Sequence, residues 1–156
     1  MHATTVRDLL TATADHLDTL RPTTPVQEFT VHGALATAAR LLHHQPEAQA
    51  DLHTAEADHA RAERLLIVAE HRGHGADEAR EEADLALNHR YAAAAVLALV
   101  NQTVANDVQA ALRVLDTPEE GANPAQVAAA LRDAAERLAR DATGLLNHIP
   151  VQRPAA

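Results

Sequence analysis

From Asp77 to about Leu115 the chain reads as one helix of almost forty residues, roughly 55–60 Å long at a rise of about 1.5 Å per residue. That is longer than a compact domain of this size needs. Part of the helix is therefore expected to pair with another copy, which makes a homodimer the default assembly. Its opening, DEAREEAD, is acidic and suits the positive end of the helix dipole. Its middle, Tyr91–Val100 (YAAAAVLALV), is apolar on every side, which predicts that other helices surround it. Val96, Val100, Val104, Val108 and Leu112 repeat every fourth residue. Asn101, Gln102, Asn106 and Gln109 form an uncharged polar band, read either as a solvated face or as a hydrogen-bonded seam between subunits.

The other segments are also helical, and none shows sustained strand alternation. A first helix is expected over Thr5–Leu20, with Val6, Leu10, Thr13 and Leu17 inward. A second opens on the capping box Thr24-Pro25-Val26-Gln27 and carries Val31, Leu35, Ala38 and Leu42. A third runs from Pro46 to about His71, with Leu52, Ala55, His59, Ala62, Leu66 and Ala69 in its seam, and ends at Arg72-Gly73-His74-Gly75. The fifth opens on Asn123-Pro124-Ala125-Gln126, an N-cap followed by Pro and then Gln. Its seam is Ala128, Leu131, Ala135, Leu138, Ala142, Leu145 and Ile149, a heptad that alternates Ala with a larger residue. The fold class that follows is all-α: an up-and-down bundle of about five helices with one long central helix. It forms a single domain over residues 1–150, with a loose tail at 151–156. Leu99, Val100, Val104, Leu131 and Leu138 are the positions expected to be most buried.

Composition narrows the chemistry. The 156 residues include 37 Ala, but no Cys, Ser or Lys. Disulfides, thiolate metal sites, cysteine and serine nucleophiles and Schiff-base chemistry are excluded. The net charge is −9 with neutral His, against the basic surface that nucleic acid or anionic lipid would need. Residues 46–75 and 76–90 each carry −3, whereas 91–115 is neutral. Eleven His would reduce the net charge to about −3 or −4 if half were protonated, so solubility or self-association should depend strongly on pH between about 5.5 and 7. The start MHATTVRDLL has no signal-peptide core, and the most apolar run is too short to span a bilayer, so the expected location is cytoplasmic.

One constellation carries candidate metal chemistry. Glu56-Ala57-Asp58-His59 is a Glu-x-x-His element, with Glu63 one turn further along the same face. The element resembles that of carboxylate-bridged di-iron bundles, which place one on each of two helices and a further Glu on each of the other two. That resemblance implies Glu56, His59 and Glu63 as ligands of a divalent metal or di-iron centre. A second element is absent, so a two-fold dimer would have to supply it. His71 and His74 beside Glu70 make a weaker candidate. Arg64 and His71 meet the spacing of helical RNases of the HEPN type, at no more than the frequency chance gives. His32-Gly33 is similar to the phosphorylated site of histidine phosphotransfer bundles, but the neighbouring Lys is missing and Ala36 stands where a Gly would be.

The residues lean against an enzyme and assign no catalytic group or bound cofactor. The leading expectation is a non-enzymatic interaction or adaptor protein that self-associates through Ala/Leu seams, with Val104, Val108, Leu131, Leu138 and Leu145 at the interface. Its partners would be a second copy and another protein, not nucleic acid or membrane. The alternatives are the His/carboxylate metal bundle, and an acidic regulator that binds a basic protein surface through residues 46–90.

Overall fold

The structure, a computed structural model, describes residues 3–20, 28–115 and 122–147. These residues show an all-α, up-and-down fold of five helices: α1 (Ala3–Asp18), α2 (Glu28–Leu42), α3 (Gln45–Arg72), α4 (Ala76–Val114) and α5 (Pro124–Asn147). The long helix is continuous through Asn88. The expected capping box at Thr24–Gln27 and the tail at 151–156 lie outside the described residues.

The helix ends follow local chemistry. Asn123 Oδ1 accepts the Gln126 backbone N–H, and Gln126 Oε1 accepts that of Asn123, both at 2.9 Å. Two backbone donors that no helical carbonyl can reach are thus satisfied reciprocally, and Pro124 occupies the first helical position, where no donor is needed. At the end of α3, Gly73 adopts φ 73° and donates its N–H to the carbonyls of Ala69 and Glu70. A side chain would strain that left-handed conformation. Between α2 and α3 stand only His43 and His44, and His44 is itself left-handed at φ 53°. The break thus falls just before Gln45-Pro46.

The chain divides into two compact units, Met1–Ala39 with Ala105–Ala156, and Arg40–Val104. The first unit holds the large-residue core. Val6, Leu9, Leu10, Thr13, Ala14 and Leu17 of α1 are buried, as are Val31, Ala34 and Leu35 of α2 and Val127, Ala128, Leu131, Ala134 and Ala135 of α5. The Thr13 hydroxyl donates to the Leu9 carbonyl at 2.8 Å, so its burial leaves no polar atom unmatched. Helices α1 and α5 pack along each other. They run antiparallel: Arg132 bridges Asp15 at 2.9 Å and also Asp18, while Arg7 and Thr11 line a groove with Ala135, Glu136 and Ala139.

The second unit is a hairpin of α3 and the first part of α4. Near its turn, Arg80 Nη2 donates to Glu70 Oε1 at 3.1 Å. At its far end, Gln45 Nε2 donates to Asn101 Oδ1 at 3.1 Å. The two ties fix an antiparallel register. In this unit Ala48, Ala62 and Ala83 are buried with Leu97 and Val104, and Leu52, His59, Leu66 and Leu87 are half-buried.

Two expectations of burial need correction. Tyr91–Val100 is not surrounded on all sides: Tyr91, Val96 and Leu99 are exposed, and Leu99 retains 69% of its accessible surface. Within this unit α4 has one neighbouring helix, which covers one arc and leaves the rest to solvent. Val96 fails for a second reason. A repeat of four residues advances about 400°, so each step drifts about 40° round the helix. Val104 and Val108 are buried, Val100 is half-buried and Val96 has rotated off the packed face.

Candidate interaction surface

The exposed large apolar side chains among the described residues are Leu41, Leu42, Leu65, Ile67, Val68, Leu85, Tyr91, Val96 and Leu99. All nine lie in the second unit. The first unit exposes none among its described residues, although its helices are built from the same residue types. Scattered apolar exposure is ordinary; concentration in one unit is informative.

Helical geometry resolves part of this exposure into a stripe. At about 100° per residue, Leu85, Ala92, Val96 and Leu99 fall within about 60° of one another. The buried α4 residues of the same unit, Ala83, Leu97 and Val104, also fall within about 60°, centred about 140° from the stripe. Helix α4 therefore has two apolar faces in this span. One is covered within the chain, through Ala83, Leu97 and Val104. The other carries larger residues outward over about 21 Å, the rise of fourteen residues.

Charge is absent where exposure is greatest. From Tyr91 through Asn106 there is no Asp, Glu, Arg or His. Tyr91, Ala92, Ala95, Val96, Ala98, Leu99, Asn101, Gln102, Ala105 and Asn106 in that run are all exposed. In a chain that is 22% charged, a solvated helix face of this length would be expected to carry charges. Just before it, residues 77–84 carry five acids and one Arg.

The sequence-derived candidates are placed as follows. Val108 and Leu131 are buried in the first unit, Val104 is buried in the second, and Leu138 is half-buried. The side chain of Leu145 lies outside those described. Asn101 of the polar band is tied to Gln45 within its own hairpin. His59 points inward, with its side chain 12% exposed, and Nε2 lies 3.7 Å from Glu63 Oε1. Glu56 is exposed. Among the described residues, no three His, Asp or Glu side chains come together as a metal ion would require. His71 and His74 are exposed at the hairpin turn, where His71 Nδ1 lies 3.1 Å from the Ile67 carbonyl. No described helix is long and apolar enough to cross a membrane.

The stripe was missed from sequence because an apolar run was equated with a buried one. The available signal was the pairing of Leu85, Ala92 and Leu99 at intervals of seven with the uncharged run. Searches against family models, curated proteins and solved structures find no match to this chain.

Proposed function

We propose that the protein is a non-enzymatic interaction protein, cytoplasmic and a single functional domain over residues 1–150, that self-associates through the outward face of α4. The observation that supports this reading is the stripe of Leu85, Ala92, Val96 and Leu99, exposed and adjoining an uncharged surface. Covering a Leu or Val contributes roughly 1.5–3 kcal/mol. The hairpin leaves that gain unused at Leu85, Val96 and Leu99. Of the seam residues expected at an interface, Val104, Val108 and Leu131 are covered by their own chain. In this proposal they hold α4 and α5 in place, and the neighbouring stripe meets the partner.

Native mass spectrometry of the untagged protein tests the reading. A dimer at micromolar concentration, weakened in Leu99→Glu without loss of helicity, is the expected result. A monomer throughout that range would rule out self-association.

A second reading rests on the inward His59 with Glu63 beside it. In it, Glu56, His59 and Glu63 from two copies together hold a divalent metal or di-iron centre. Metal analysis separates the two. A stoichiometric metal that is lost in His59→Ala favours the second, and a metal-free dimer favours the first.

A further inference from the structure

We infer that the second copy docks on the α4 stripe antiparallel, about a two-fold axis that passes beside Ala92. This rests on the proposed self-association and adds its geometry. Under such an axis each residue meets the partner residue whose number brings the sum to 184: Leu85 meets the partner's Leu99 (85 + 99), and Ala92 meets the partner's Ala92 (92 + 92). The sequence Leu-Ala-Leu at intervals of seven reads the same in both directions. It places large side chains at the two ends of the contact and the smallest at the crossing point, where the helices come closest.

Charge decides the direction and favours this occupant. Glu81 lies on the N-terminal continuation of the stripe and is exposed. In a parallel pair it would face its own copy, and like charges brought together across an interface are unfavourable. In the antiparallel pair Glu81 meets the partner's Thr103, which belongs to the uncharged run and brings no like charge against the carboxylate. The uncharged stretch thus has the length and position needed to receive the acidic turn of a second copy. An isologous contact also needs one surface only, in keeping with a stripe confined to one helix.

The chain has no Cys, so introduced thiols report without background. Three variants suffice, each checked for native helicity by circular dichroism: Ala92→Cys, Glu81→Cys and Thr103→Cys. Under mild oxidation Ala92→Cys should convert most of the protein to a covalent dimer, because only close Cα pairs can be bridged. Glu81→Cys alone should stay uncrosslinked, its two copies lying about 33 Å apart along the axis. Mixed with Thr103→Cys, it should form a heterologous crosslink. Crosslinking of Glu81→Cys with itself would overturn the antiparallel arrangement. A native dimer in which Ala92→Cys fails to crosslink would place the contact elsewhere, leaving self-association intact. A monomer by native mass spectrometry would instead overturn the underlying reading.

Discussion

The two units draw on the same small set of residues to different ends. In the first, leucines join the alanines inside: Leu9, Leu10, Leu17, Leu35 and Leu131 are fully buried. In the second, Ala48, Ala62 and Ala83 are buried with Leu97 and Val104, while Leu65, Leu85 and Leu99 face out. The first unit gathers several helices, so each apolar stripe finds a neighbour. The second is a pair of helices, and a pair can cover only one arc of each. Fully buried large side chains therefore concentrate in the first unit, and exposed ones in the second.

The sharpest test applies one truncation to both. Leu131→Ala should lose about 2–5 kcal/mol in urea unfolding, because it opens a cavity in a closed core. Leu99→Ala, measured on monomer at high dilution, should change stability by about 0.5 kcal/mol or less, as exposed substitutions do, while weakening self-association. Equal losses at the two sites would remove the distinction between the units. Next in size is the reverse substitution in the hairpin. Ala62→Leu should cost about 1–3 kcal/mol, because the alanine seam has no room for a larger side chain. A neutral result would mean that α3 and α4 are not closely packed. Asn123→Ala should cost about 1 kcal/mol by breaking the reciprocal cap of α5, again in the first unit. Smallest is Arg132→Ala. Hydrogen bonds to Asp18 and then Asp15 hold the Arg132 guanidinium above its ordinary pKa, so the cation is not lost as pH rises. The group is solvated, so its loss should produce only a minor shift in the unfolding midpoint, one that shrinks with added salt.

Much of the fold was legible because it is written in local chemistry. Asn123-Pro124-Ala125-Gln126 announces a helix start with no help from the rest of the chain. Gly73 marks a stop because few other residues adopt its backbone conformation easily. The α5 seam from Ala128 to Leu138 repeats at the period of a helix, and its early members are buried. The candidate surface was not legible in the same way. Periodicity shows which residues share a face, but not whether another helix lies against it. Leu99 and Leu131 look alike in sequence; the first lies where the hairpin has run out of neighbours, and the second does not. His59 was correctly expected to face inward, since its seam at steps of three and four is the one that meets α4. Its neighbour Glu56 sits outside that arc and is exposed.

The two polar ties of the hairpin have a further consequence, for alignment. Glu70 to Arg80 at the turn and Gln45 to Asn101 at the far end mark one register. They are separated by about 37 Å of α3. Between them Ala48, Ala62, Ala83 and Leu97 are buried. Like pins at the two ends of a rail, the ties agree with that buried seam on where the outward leucines of α4 come to rest. Any surface those leucines offer to a partner is positioned by hairpin residues that need not touch that partner themselves.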